Sequence, residues 1–230
     1  MVSRCILCGG LMENSGEEWM IPAGDGTVRY FHCTRCDLIF IDPKLRPEED
    51  RERERYLEHN NSPEDPRYVS YLRGFAEEAL LPYVSSGSSI LDYGSGPVPV
   101  FAEVLKGLGY HVDMYDPFFA PTREWEGRRY DAVTAVEVVE HFFDPSTEFR
   151  RLRGVVVPGG HLVLRTLLHY SDQERFARWW YRQDPTHVCF YSEHSFQVLA
   201  DMLGMELLDI KEGRSVVLRA PGPGPELAPG

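Results

Sequence analysis

Residues 90–96 read ILDYGSG, an apolar run that closes on Asp92 and then turns through Gly94 and Gly96. Downstream, residues 111–116 read HVDMYD and close on Asp116. Two strands that each end in an acid, the first followed by a glycine turn, are the signature of a parallel α/β sheet with a nucleotide at the carboxyl ends of its strands. Glycine lets the backbone come close to the ligand, and an acid ending the second strand accepts hydrogen bonds from ribose hydroxyls. A dinucleotide site wants G-x-G-x-x-G, so that a helix N-terminus faces a pyrophosphate. Here the run is GSGPVPV, without a third glycine in that frame and without the lysine of a phosphate-binding loop.

A ligand with a ribose and no phosphate fits this pattern better. S-adenosylmethionine is one, and its sulfonium and ammonium groups suit the extra acid, Asp92, and a chain of net charge −12. Outward from this core, strands alternate with helices. Ser89 to Tyr93 and His111 to Tyr115 read as strands, with a helix from Phe101 to Leu108 between them closed by Gly109. Tyr130 to Val136 is a further buried strand, Pro145 to Arg153 a helix, and His161 to Leu167 a strand after Pro158-Gly159-Gly160. Ser192 opens a helix that runs to Leu203 and is capped by Gly204. Glu206 to Ile210 then pairs with Ser215 to Arg219 as a closing hairpin. Upstream, Arg67 to Val84 carries Tyr68, Tyr71, Leu72, Phe75, Ala79 and Leu80 at helical spacing, as expected of a helix packed over the sheet. The acids at Glu48 to Asp50 suit a helix start, and Arg51, Arg53 and Arg55 read as its solvated face.

The strongest single signal lies at the other end of the chain. Cys5 and Cys8 form one C-x2-C, and Cys33 and Cys36 form a second. Two such knuckles bring four thiolates into a tetrahedron around Zn²⁺. A site with all four positions filled is structural, and metal binding should supply much of the folding energy of so small a unit. The fifth cysteine, Cys189, stands alone, so no disulfide framework is indicated. The chain has 230 residues, 43% of them hydrophobic. That allows one full core plus a small appendage, since domains run about 100–200 residues. No apolar run approaches the roughly 18 residues of a membrane span, and no secretory signal is evident, so a cytoplasmic protein is expected. With 36 acidic against 24 basic side chains, the surface as a whole disfavours nucleic acid.

The ordered set CILCGG, CTRCDLIFIDP, LDYGSG, YDAVTAVEVVEHFFDP, VPGGHLVL and DPTHVCFYS resembles class I SAM-dependent methyltransferases. More closely, it resembles the branch with an N-terminal four-cysteine zinc-binding region, which includes sugar C-methyltransferases. The resemblance implies an α/β, Rossmann-like class I methyltransferase sheet with a small N-terminal zinc ribbon. Residues 1–45 are expected to form the ribbon, 46–85 a helical linker or cap, 86–220 the methyltransferase domain and 221–230 a disordered tail. The family pattern assigns Asp92, Gly94, Ser95 and Gly96 to the methionine part of the cofactor, Asp116 to the ribose and Glu137 to the sulfonium side. Glu140 and His141 match the EH pair that commonly follows. Two departures stand out. Val98 replaces the last glycine of the usual D-x-G-x-G-x-G. Only Pro117 to Arg129 lie between HVDMYD and the next matching strand, so one edge strand is expected to be missing. Adenine is then left to Phe118, Phe119 or Trp125, and Pro117 and Phe118 are counted among the cofactor-binding residues.

Methyl transfer is an in-line displacement in which the protein aligns the reactants and can remove a proton. His187, in the loop PTHVCFY, is the first candidate base because imidazole titrates near neutral pH. A loop-pinning structural role competes with it. His141 and Tyr191 complete the catalytic candidates, the first as pocket lining and the second with packing as its competing role. The segment FARWWYRQD, with Trp179, Trp180, Arg178 and Arg182, reads either as a lid for an anionic or sugar-like substrate or as packing tryptophans with solvated arginines. The leading expectation is a methyltransferase for a small polar molecule, with the ribbon available to a protein partner. The alternatives are a non-catalytic assembly protein on the same fold and an RNA base methyltransferase, the latter opposed by the charge.

Overall fold

The computed structural model describes residues 2–58 and 61–222. The chain opens with the first cysteine knuckle and a single turn, α1 (Met12–Ser15), followed by β1 (Gly16–Ala23), β2 (Gly26–Cys33) and β3 (Leu38–Ile41). β1 and β2 form an antiparallel hairpin that sets Trp19 opposite Tyr30. Trp19 and Ile21 are buried between exposed neighbours, the alternation of a one-sided strand. β3 pairs with β2 through Tyr30–Ile41 and Cys33–Leu38, directly after the second cysteine knuckle. The hairpin is an addition, because its alternation is short and diluted by charged residues.

α2 (Glu49–Glu58) follows, and α3 (Pro66–Phe75) starts on Asp65, whose side chain accepts from the Arg67 amide. α3 continues as one π-type turn over Ala76–Leu80, so the expected helix ends earlier and wider than its apolar spacing implied. The face of α2 is less solvated than its alternating charges suggested. Arg55 donates from Nε at 3.0 Å and from Nη2 at 2.9 Å to Asp184 Oδ2, across the molecule.

The main sheet contains β4 (Ser89–Tyr93), β5 (His111–Tyr115), β6 (Tyr130–Val136), β7 (Val156–Arg165), β9 (Glu206–Lys211) and β10 (Ser215–Arg219), in the order β5-β4-β6-β7-β10-β9. β5, β4, β6 and β7 are parallel, and β10 returns antiparallel to both β7 and β9. β5 is the edge, so the expected missing edge strand is indeed absent from the described sheet. β7 starts earlier and stops sooner than expected: Tyr130 pairs with Val156, then the register slips so that Ala132 meets His161. Pro158-Gly159-Gly160 is therefore a bulge inside the strand. Gly160 is required there, since a Cβ would lie 2.7 Å from the Asp131 carbonyl oxygen.

Alternate residues of each central strand face opposite layers. Ile90, Ala132, Val163 and Val217 pack against Leu72, Phe75, Ala79 and Leu80 and against α4 (Val100–Gly107). Leu91, Val133, Leu162, Leu164, Val216 and Leu218 face α5 (Pro145–Val155) and α7 (Glu193–Leu203), and that core runs without a break into Leu38, Ile39 and Phe40 of the ribbon. The joint is explicit in the topology. β8 (Cys189–Phe190) pairs with β3 and gives the ribbon sheet its fourth strand, β1-β2-β3-β8. α6 (Gln173–Arg178) packs beside it, with Phe176 against Tyr30 and Phe190. The tail expected to be disordered lies outside the described residues from 223 onward, while Pro221 still accepts from the Gly159 amide at 2.9 Å.

Candidate active site

β4 leads to β5 on one side of the sheet and β6 lies on the other, so the switch point of this topology is between β4 and β6. Asp92 sits at the end of β4, and Glu137 directly follows β6. Gly94 and Gly96 take left-handed conformations, φ 81° and 70°. The turn is pinned from β5: Gly94 and Ser95 amides donate to the Tyr115 carbonyl at 2.7 and 3.1 Å. Asp116 finishes the job. Its carboxylate accepts from the Gly96 amide at 2.9 Å and from the Phe118 and Phe119 amides at 2.9 and 3.1 Å. Val98 has negative φ, so the position where the family pattern has glycine imposes no left-handed backbone.

Asp92 is 2% exposed. Thr134 donates weakly to its Oδ1 at 3.4 Å, while Oδ2 is buried with no hydrogen-bond partner. Burial, and then the nearby Asp116, push its pKa to about 7. An orphaned acidic oxygen beside a backbone turn is an acceptor that the N–H groups of a cationic amino-acid end would satisfy, so the residues fit the expected cofactor.

Pro117, Phe118 and Phe119 line the loop beyond β5. Phe118 meets Tyr56 of α2 at 5.6 Å between centroids, and Arg53 lies over Phe119. Trp125, by contrast, is buried against Tyr93 and Tyr115 in the core, which removes it from the adenine candidates.

Glu137 has φ 54° and accepts from Tyr71 at 2.7 Å and from Tyr181 at 2.8 Å. Tyr71 in turn accepts from Arg165 Nε at 2.8 Å. The Tyr181 hydroxyl also bonds Glu140 Oε1, yet a phenol has one proton. Glu140 must bring its own. It is fully buried, and burial together with the Glu137 charge raises its pKa well above the carboxylate range. Glu140 therefore donates to Tyr181, and Tyr181 donates to Glu137. From sequence Tyr71 reads only as a helix residue packed over the sheet, and Arg165 and Tyr181 are given no role. Only Arg165, a charge ending the apolar run HLVLR, carried a readable sign.

His141 and His187 stand edge to face, 4.8 Å between centroids. Their Nδ1 atoms meet the carbonyls of Thr186 at 2.9 Å and Tyr181 at 2.7 Å, which places the proton on Nδ1 and makes Nε2 the basic atom of each ring. One donor atom each of Glu140, His141 and His187 lies within 4.8 Å of the others. The structure thus brings two of the three catalytic candidates together. Tyr191 is fully buried, donates to the Val139 carbonyl at 2.9 Å and packs on Phe149 and Phe196. Those contacts make it a packing residue with no access to a substrate. In the FARWWYRQD segment the two readings divide: Trp179 packs on Phe176 and Phe190, whereas Trp180 is 67% exposed.

At the ribbon, Cys5 Sγ lies 3.6 Å from Cys36 Sγ and Cys8 Sγ 3.7 Å from Cys33 Sγ. A tetrahedron with Zn–S of about 2.3 Å has edges of roughly 3.8 Å, so these two spacings, with all four sulfurs within 4.8 Å of one another, are compatible with a zinc ribbon. The knuckles match in backbone as well: Gly9 (φ 69°) closes the first, and Asp37 (φ 57°) closes the second.

The sequence profile of a family described as "Methyltransferase domain" matches residues 36–210, more than half of the chain. A ubiquinone biosynthesis O-methyltransferase of Serratia proteamaculans (strain 568) is 31% identical over 77 residues, 34% of this chain and 32% of that protein. The chain is thus matched to about a third of that relative's length. Among solved structures, CalO1, a methyltransferase in calicheamicin biosynthesis in its SAH-bound form, aligns with a TM-score of 0.50 at 11% identity, over 67% of this chain and 54% of that one. A chain from the complex of the Haloferax volcanii Trm112 methyltransferase activator with a methyltransferase aligns with a TM-score of 0.51 at 9% identity, over 77% and 100%. At these identities the likeness is one of fold.

Proposed function

The chain belongs to the methyltransferase-domain family, and from that premise we propose that it is a zinc-containing, SAM-dependent methyltransferase acting on a small polar molecule. The observation that carries this reading is the buried, unpaired Oδ2 of Asp92 beside the left-handed Gly94-Ser95-Gly96 turn at the switch point. When bound, S-adenosylmethionine supplies an electrophilic methyl group. Asp92 and the glycine turn would hold its amino-acid end, Asp116 its ribose, and Pro117 and Phe118 its adenine. Glu137, fixed by two tyrosine hydroxyls, would face the sulfonium side. His187 would take the acceptor's proton on Nε2, with its ring oriented through the Tyr181 carbonyl, and His141 would line the same space. Cys5, Cys8, Cys33 and Cys36 would hold a structural Zn²⁺.

The test is calorimetric titration of the zinc-loaded protein with S-adenosylhomocysteine, with Asp92→Asn as control. Asp116→Ala is the poorer control, because it strips three amides of their acceptor and loosens the turn itself. Saturable one-site binding that disappears in D92N supports the reading. No binding by the zinc-loaded wild type overturns it in favour of a non-catalytic protein on this fold. Elemental analysis should find one zinc per chain, lost when Cys8 and Cys33 are both changed to serine.

A further inference from the structure

A cavity of about 680 Å³ opens between the ribbon hairpin and the loop that carries His187. Its walls include Thr27 and Tyr30 from β2, Leu45, and Arg182, Asp184 and His187 from the segment after α6. This volume is within the range of small-molecule sites, ~300–1,000 Å³. Its position is equally informative. His187 stands on this cavity, His141 stands on His187, Tyr56 meets both His141 and Phe118, and Phe118 belongs to the loop that follows β5. A chain of ring contacts therefore leads from the edge of the cavity to the loop that follows β5, which the reading above assigns to the cofactor.

Two charged side chains line the cavity, and they are compensated very differently. The Asp184 carboxylate accepts two N–H groups from Arg55 and both the amide and the hydroxyl of Thr186. Arg182 is 9% exposed, yet its partners are neutral: Nε and Nη2 donate to the Ala177 carbonyl, and Nη2 also donates to the Pro22 carbonyl at 3.1 Å. Among the described residues no carboxylate forms an ion pair with it. A guanidinium carries five N–H donors in a planar fork shaped for oxyanions, and burying its charge without a counter-ion is costly. The chain as a whole is strongly acidic, which makes an uncompensated buried cation facing a cavity the more pointed.

We propose that this cavity is the acceptor site and that Arg182 binds an oxyanion, a phosphate or a carboxylate, carried by the acceptor. The inference rests on the methyltransferase reading and deepens it by naming the chemistry of the substrate. It also gives the ribbon a part in recognition, since β2 forms one wall and the Pro22 carbonyl at the end of the hairpin orients the guanidinium. Thr27, exposed at the hairpin, marks the rim.

The zinc-loaded full chain is titrated calorimetrically with inorganic phosphate, pyrophosphate and succinate at constant ionic strength. The variants are Arg182→Gln and Thr27→Glu, each also titrated with S-adenosylhomocysteine. Saturable binding of at least one oxyanion is expected, weakened at least tenfold in both variants, with S-adenosylhomocysteine affinity unchanged. Preference for the phosphates or for succinate tells which oxyanion the acceptor bears. If R182Q fails to fold because two carbonyls lose their donor, T27E decides by itself, as it lies outside those bonds. Absence of binding by all three anions, or equal affinity in wild type and folded variants, overturns the proposal. Oxyanion binding without S-adenosylhomocysteine binding would instead sink the methyltransferase reading and leave the cavity's ligand chemistry standing.

Discussion

Gly94 and Gly96 are spelled alike in the sequence and differ in space. Both have left-handed backbones, but a Cβ at Gly94 would lie 2.4 Å from Val138 Cγ2, whereas at Gly96 it would meet nothing within 4 Å. Gly96→Ala should therefore cost only the left-handed penalty, about 1–2 kcal/mol. Gly94→Ala adds overpacking to that penalty and should cost roughly 3 kcal/mol or more. Urea denaturation measures both, and Val138→Ala should recover part of the loss at Gly94 and none at Gly96. Asp92 makes the opposite bargain. Its native pKa of about 7 lies above the ordinary value of 3.8, so the native state holds a proton the unfolded chain has released. Stability from this group is thus full below about pH 4, falls as pH rises towards 7, and is then level, a difference of roughly 4 kcal/mol. Asp92→Asn should stabilise the protein at pH 8 and much less at pH 5, while abolishing S-adenosylhomocysteine binding. Thermal unfolding at the two pH values checks the first half; equal gains at both would show that Asp92 is not held neutral. Asp92, Gly94 and Gly96 can be grouped from sequence because they are neighbours with a local turn chemistry, and Asp116 because it ends the next strand; the structure joins them through the Gly96 amide. Their neighbour Val138 cannot be grouped with them, since nothing in the order of residues announces which valine will touch which glycine.

At the scale of elements, the strands with a regular alternation were read to the residue, as in β4, β5 and β6. β7 was misplaced at its start because a bulge breaks the alternation, and β8 was missed because two residues carry no period. The polar relay escaped for a related reason: Tyr71 comes from α3, Arg165 from β7 and Tyr181 from the turn after α6, and only the fold gathers them on Glu137. That gathering is open to a double-mutant cycle. Tyr71→Phe or Tyr181→Phe alone leaves Glu137 one donor and should cost about 1–3 kcal/mol. The double variant leaves a half-buried carboxylate with neither hydroxyl, so its loss should exceed the sum of the singles by at least about 0.5 kcal/mol. Simple additivity in denaturant midpoints would mean that the two hydroxyls do not act on one carboxylate.

Sequence composition divides the molecule into a ribbon and an α/β unit, and the structure joins them more tightly than that division implies. β8 completes the ribbon sheet with residues that follow the His187 loop. Asp37, the residue after Cys36, bonds Ser171, and its carbonyl meets His169 Nε2 at 2.8 Å. Arg182 reaches back to the Pro22 carbonyl, and one apolar core contains Leu38, Phe40, Phe190, Phe149 and Leu162 together. The knuckles themselves bury little beyond Leu7 and their own sulfurs, so the metal should supply the energy that keeps β1–β3 in place. Removing it withdraws the surface on which β8, α6 and the His187 loop rest. Chelation should accordingly lower the unfolding temperature of the whole chain in one cooperative transition, rather than melt a ribbon and leave the α/β unit at its original midpoint. Differential scanning calorimetry with and without a chelator distinguishes the two. A high-temperature peak that survives unshifted beside a new low one would show that the ribbon is a detachable appendage. A single shifted peak would show that a metal held by the four cysteines also steadies β8 and the loop that carries His187.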